Sequence, residues 1–280
     1  MTHKTDPMPC YSVTEGEGPL VAVALHDGHA LRPEVAALTA LPEEERLREE
    51  DPFTAAWTAV APTRLVALRS RFEVDLNRPR AKAVYRRPAD AWGLPLWRRD
   101  PPDELVERSL SQHDAFYAEA RRVLDGIAAR EGRFVVLDLH SYNHHRAGPD
   151  APFEPQSTHP DVNIGTGSMD RARWARIVDR LMAELSGCDD LGRRLDVREN
   201  VKFQGGAFVR WVHETYPEVG CAVAMEHKKF FMDEWTGELY PAVHAGILRL
   251  LRSAAAAVRE ELAAQAWAVA APSTPRSGRA

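Results

Sequence analysis

Four segments of the 280-residue chain read as strands: Leu20–Leu25 (LVAVAL), Arg64–Leu68 with a continuation towards Leu76, Phe134–Leu139 (FVVLDL) and Val219–Met225 (VGCAVAM). Their apolar residues fall on odd and even positions alike, as in strands covered on both faces, and parallel sheets have such strands. Between them the period changes. From Asp103 to Arg130, the residues Leu105, Val106, Leu110, Phe116, Tyr117, Ala120, Val123, Leu124 and Ile127 keep a helical spacing, and Gly132 marks the stop. Met169–Leu185, Gly206–Tyr216 and Ala242–Ala264 fit further helices. The alternation predicts an α/β fold in three layers, a mixed or mainly parallel sheet with helices on both faces. Residues 1–18 read as an extended arm, 19–265 as one domain and 266–280 as a disordered tail, with no internal repeat.

Composition narrows the function classes. The chain is 44% hydrophobic and 28% charged, the balance of a globular protein. A formal charge of -5 gives no overall attraction to nucleic acid or to anionic membranes, so an anionic ligand needs local arginines. The N-terminus lacks the apolar core of a signal peptide, and no apolar run approaches membrane-spanning length. Cys10, Cys188 and Cys221 are odd in number and scattered, which argues against a disulfide framework. These features predict a cytoplasmic protein.

In open α/β sheets ligands sit at the carboxyl ends of the strands. There the first strand runs into His26-Asp27-Gly28-His29, the third into Asp138-Leu139-His140-Ser141-Tyr142 and the fourth into Met225-Glu226-His227-Lys228-Lys229. A lone histidine after a strand is more often a hydrogen-bonded loop residue than a ligand. Three strands delivering histidine or glutamate to one sheet edge point instead to a site. A catalytic zinc needs about three protein ligands and an open position, and neutral imidazole is a common donor. His26, His29 and His140 are the candidate ligands, and Asp138 can orient a ring. Glu226 is the candidate general base; its plain alternative is an ion pair with Lys228 or Lys229. Asn77-Arg78 offers an amide and a planar guanidinium for a substrate carboxylate, with a surface salt bridge as the alternative. Gly205-Gly206 opens a helix that carries Arg210, a second place to meet an anion.

Taken in order, Leu25-His26-Asp27-Gly28-His29, Asp75-Leu76-Asn77-Arg78, Asp138-Leu139-His140-Ser141, Gly205-Gly206…Arg210 and Glu226…Met232-Asp233-Glu234 resemble the N-formylglutamate amidohydrolase family, which is related to zinc carboxypeptidases and acyl-amino-acid deacylases. The resemblance spans about residues 20–250. It implies a phosphorylase/hydrolase-like fold, one zinc ion, and a zinc-activated water that attacks the amide of a small N-formyl or N-acyl amino acid. By the same resemblance His26 and His140 are metal ligands and Glu226 is catalytic, while Asn77 and Arg78 hold the substrate carboxylate. The chain also departs from the pattern. Carboxypeptidase relatives use His-X-X-Glu where this chain has His29, and the formylglutamate family completes its site with an acidic residue some twenty positions on. Here that region reads Glu49-Glu50-Asp51, just before a helix start at Pro52, so His29 is the first expectation for the third ligand, with Glu50 or Asp51 behind it. Tyr142-Asn143-His144-His145-Arg146 replaces a shorter family segment. Two alternatives stay open: a carboxypeptidase-like zinc peptidase acting on short peptides, and a metal- or ligand-binding homologue without catalysis.

Overall fold

The computed structural model describes residues 9–187 and 191–270, with side chains to residue 264. In chain order the strands are β1 (Tyr11–Thr14), β2 (Leu20–Ala24), β3 (Thr63–Ala67), β4 (Phe134–Tyr142), β5 (Val162–Gly165), β6 (Val197–Glu199) and β7 (Gly220–Lys228). The helices are α1 (Pro33–Leu38), α2 (Glu43–Glu49), α3 (Thr54–Trp57), α4 (Asp103–Glu131), α5 (Ala175–Gly187), α6 (Ala207–Thr215) and α7 (Pro241–Ala270).

The strands form one mixed sheet in the order β1-β3-β2-β4-β7-β5-β6. Its centre, β3-β2-β4-β7, is parallel. β1 closes one edge antiparallel to β3, while β5 and β6, parallel to each other, run antiparallel to β7. The sheet is therefore mixed, and the expected three layers are present. Alternate residues of the central strands feed two cores. Leu20, Val135, Leu137, Val223 and Met225 pack with α5 and α7. Val21, Val23, Val136, Ala222 and Ala224 pack with α4 and α6. Each fully buried Leu, Val, Ile or Phe side chain contributes about 1.5–3 kcal/mol of transfer free energy, so both faces hold the sheet edge rigidly.

Four differences from the sequence reading have physical causes. The arm beyond residue 8 is a sheet strand, because Tyr11–Thr14 pairs along β3. The continuation of β3 towards Leu76 is not strand; Phe72 to Leu76 is a buried turn, although its residues are as dry as strand residues. Local bonds hold it, from Asn77 N to Asp75 Oδ1 (2.8 Å) and from Asp75 N to Ala83 O (2.7 Å). β4 and β7 outrun their apolar segments by three residues each, so His140 and Glu226 lie within strands. α7 extends to Ala270, and the tail from 271 onward lies outside the described residues.

Candidate metal centre and active site

Strand register builds the centre of the site. β4 and β7 are parallel neighbours, and His140 stands opposite Glu226. His26 lies two residues past β2, and its carbonyl accepts from Asp51 N (2.9 Å), the residue that follows the cap of α2. Lys229, buried at 1% exposure, donates from Nζ to the carbonyls of Arg48 (2.6 Å) and Glu50 (2.7 Å). The end of α2 is thus tied to the end of β7.

His26, Asp51 and His140 present one ligand atom each, all within 4.8 Å of one another and all buried. His26 Nδ1 is 3.3 Å and His140 Nδ1 2.9 Å from Asp51 Oδ2. The outer nitrogens also face carboxylates. His26 Nε2 meets Asp75 Oδ1 at 2.8 Å. His140 Nε2 lies 3.0 Å from Asp138 Oδ1, an ionic contact off the hydrogen-bonding line, and 3.3 Å from Asn77 Nδ2. Asp75 is further held by Arg71 (2.9 Å) and by the Tyr85 hydroxyl.

Burial alone would raise the Asp51 carboxyl, but hydrogen bonds from His140 and His26 outweigh it and lower its pKa below the usual range. Burial opposes charge on His140, yet the neighbouring Asp138 and Glu226 carboxylates win and push its pKa well up. Glu226 is partly buried on the cavity wall, and loss of water raises its pKa to about 7. Neither Lys228 nor Lys229 pairs with it, since Lys228 reaches Gln156 and Asp161 while Lys229 serves the carbonyls above.

His29 is not brought into this cluster. Its Nδ1 meets Glu50 at 2.5 Å, and its Nε2 faces Arg46 at 3.3 Å. Gly28 explains the divergence. A Cβ there would come within 2.5 Å of the Leu68–Arg69 backbone, so only glycine lets the chain cross the exit of β3. The chain then bridges Ala30 to Arg69, which leaves His29 beside α2. Glu50 is consumed by His29 and Ser70, so of the two acidic fallbacks only Asp51 faces the imidazoles.

A cavity of about 750 Å³ opens over the cluster, lined among others by His26, Asp51, Asn77, Arg78, His140, Arg210 and Glu226. Arg78 is 38% exposed and sits 3.7 Å from Asp75 Oδ2. Arg210, one turn into α6, has no ion pair among the described residues. Asn77 is more committed. Its Oδ1 accepts from Phe208 N (3.0 Å) and its Nδ2 points at His140, and Gly206 leaves the space it fills against α6. The sequence alone gives no role to Asp75 or Arg71, and gives Lys229 only the alternative of an ion pair with Glu226. Asp75 carried a signal, an acid inside an otherwise apolar turn two residues before Asn77. Lys229 carried a weaker one, a lysine placed directly after a buried strand.

The sequence matches the N-formylglutamate amidohydrolase family over residues 18–231. The chain belongs to that family. It is therefore a hydrolase acting on an amide, with a fold of the expected class. No curated protein matches it. Among solved structures, an N-formylglutamate amidohydrolase from Ralstonia eutropha JMP134 is 20% identical, covers 92% of this chain and 100% of its own, and superposes with a TM-score of 0.72. The Agrobacterium tumefaciens gene product Atu2144 is 16% identical, covers 91% of this chain and 97% of its own, and has a TM-score of 0.66. Both likenesses bear on the fold of this N-formylglutamate amidohydrolase family member. Among its described residues, no helix is long and apolar enough to cross a membrane.

Proposed function

We propose that the chain is a zinc-dependent amidohydrolase of N-formyl or other small N-acyl amino acids, with one zinc held by His26, Asp51 and His140. The observation that carries this reading is the convergence of two buried imidazoles on one buried carboxylate, each ring backed by another carboxylate. Buried carboxylates at this density need cations or a metal, and two nitrogens with one oxygen form a donor set that suits zinc. His29 is replaced by Asp51 in this assignment, because His29 is held away by Glu50.

When bound, zinc supplies a Lewis acid that polarises the acyl carbonyl and makes water a nucleophile at neutral pH. The protein's own groups do the rest. Asp75 accepts from His26 Nε2 and keeps that ring's proton there, which frees its Nδ1 as a metal donor, while Asp138 supplies negative charge beside the His140 ring. Glu226 accepts the proton of the attacking water and delivers it to the departing amine, and a pKa of about 7 suits both transfers. Arg78 holds the substrate carboxylate by a charge-assisted pair, and Arg210 adds charge from the start of α6. Asn77 orients the Arg78 segment and His140 more than it contacts substrate.

The name of the Ralstonia eutropha neighbour makes N-formylglutamate the first substrate to try. The test compares chelator-stripped and zinc-reconstituted protein on N-formylglutamate and a panel of N-acyl amino acids. Activity should return as zinc approaches one ion per chain. Equal activity in both states would overturn the metal assignment, and no cleavage of any panel member would overturn the substrate class.

A further inference from the structure

The cavity is wider than a formyl amino acid requires. At about 750 Å³ it falls in the range that holds a drug-sized ligand, roughly 300–1,000 Å³. Its cations are not all accounted for by the protein. Arg71 is paired with Asp75, Arg146 with Glu49, and Lys229 with two carbonyls. Arg78, Lys82, Arg210 and Lys202 remain, and Arg78 and Lys202 stand on opposite sides of the cluster. In the sheet order, His26, His140 and Glu226 belong to β2, β4 and β7, between β3 on one flank and β5-β6 on the other. Arg78 comes from the segment after β3 and Lys202 from the turn after β6.

Lys202 is exposed to the cavity and held in place. Its backbone N donates to Asn163 Oδ1 (2.8 Å), and its ammonium lies 5.5 Å from the Tyr142 and Phe203 ring centroids. Nζ donates to His159 Nε2, and His159 Nδ1 engages Thr158 Oγ1. An ammonium has three donors, so this single bond leaves others for a ligand. Among the described residues no carboxylate forms an ion pair with Lys202. Burial lowers the pKa of both Lys202 and His159, in keeping with a lysine that donates to a neutral imidazole in a partly dry recess.

We infer that the acyl group of the substrate ends in its own carboxylate, captured by Lys202, while Arg78 holds the carboxylate of the amino-acid part. The preferred substrate is then an N-(ω-carboxyacyl) amino acid, with a carboxylate on each side of its scissile amide. Hydrolysis adds water across the amide C–N bond: the hydroxyl stays on the acyl carbon, a proton goes to the amine, and the products are a dicarboxylic acid and a free amino acid. A formyl group would leave the Lys202 flank to solvent. This inference rests on the amidohydrolase reading above.

The test measures kcat/KM of the zinc-loaded full chain for N-formyl-, N-acetyl- and N-succinyl-glutamate, and for the last with its acyl carboxylate as a methyl ester. Lys202→Met and Lys202→Arg are run on the same panel. Wild type should prefer the succinyl acid over its methyl ester by about ten- to a hundredfold, the range of one charge-assisted hydrogen bond. That ratio should fall to about one in Lys202→Met and be partly kept in Lys202→Arg. A wild-type ratio near one, or a ratio that survives Lys202→Met, overturns the inference. Cleavage of the formyl and acetyl substrates with refusal of the succinyl one also overturns it, and leaves the amidohydrolase reading standing. No cleavage of any of the four overturns both.

Discussion

The two halves of the site edge are built differently. On the parallel half, long strands buried on both faces carry His140 and Glu226 in register, and β2 delivers His26 just beyond its end. On the antiparallel half, β5 and β6 have four and three residues, and the cavity wall comes from turns such as the one carrying Lys202 and Phe203. Chemistry that needs sub-ångström placement sits on the rigid half. The groups proposed to touch the variable part of a substrate sit on turns, where sequence can change without disturbing the core. The contrast recurs on a smaller scale between His26 and His29. They are three residues apart, and one is drawn into the cluster while the other is tied to Glu50.

The strongest way to break that comparison is to remove one histidine from each side of it. His140→Ala or Asp51→Ala should abolish zinc binding and lower turnover by at least about 10⁴, since the metal's contribution is worth several kcal/mol. His29→Ala should change zinc affinity by less than about threefold, because it removes a contact to Glu50 and no ligand. Equilibrium zinc titration separates the outcomes, and a His29 variant as damaged as the His140 variant would reverse the assignment. Next in size, Glu226→Gln should cost about 10²–10⁴ in kcat and leave zinc affinity near wild type. Loss of zinc together with rate would make Glu226 a ligand instead of a base.

Arg78→Ala tests the flank next to β3. It should lower kcat/KM for the acid by about two orders of magnitude and leave the substrate amide, which has no carboxylate at that position, nearly unaffected. Equal slowing of acid and amide would make Arg78 structural. The smallest effect concerns stability of the zinc-free protein. The pKa of Glu226 rises from its ordinary 4.5 to about 7 on folding. The folded chain therefore holds that proton more tightly, and the associated stability is complete below pH 4.5 and gone above about pH 7. Glu226→Gln never acquires the charge. Its melting temperature should drop less than that of wild type between pH 5 and pH 8, by a few degrees in a scanning calorimeter. Parallel declines would show that Glu226 ionises without cost.

The same contrast governs what could be read in advance. The gathering of His26, His140 and Glu226 at one sheet edge was legible because apolar strands running straight into ionisable groups are costly unless those groups are partnered. Asp51 was harder to single out within Glu49-Glu50-Asp51. Three adjacent acids look alike in sequence, and only tertiary partners part them: Glu49 goes to Arg146 and Asn143, Glu50 to His29 and Ser70, Asp51 to the imidazoles. The buried turn at Phe72–Leu76 imitates a strand because full burial removes the alternation that would distinguish the two. β5 and β6 were invisible because three or four residues carry no usable period. Lys202 belongs to that same unreadable half, where a side chain's meaning comes from neighbours distant in sequence.

The proposed function stands on one zinc at His26, Asp51 and His140. It is tested most directly by anomalous diffraction at the zinc absorption edge from crystals of the zinc-reconstituted protein. A single strong peak is expected about 2.0–2.2 Å from His26 Nδ1, His140 Nδ1 and an Asp51 carboxylate oxygen. A peak coordinated by His29 and Glu50, or no peak among the three buried side chains, would contradict it.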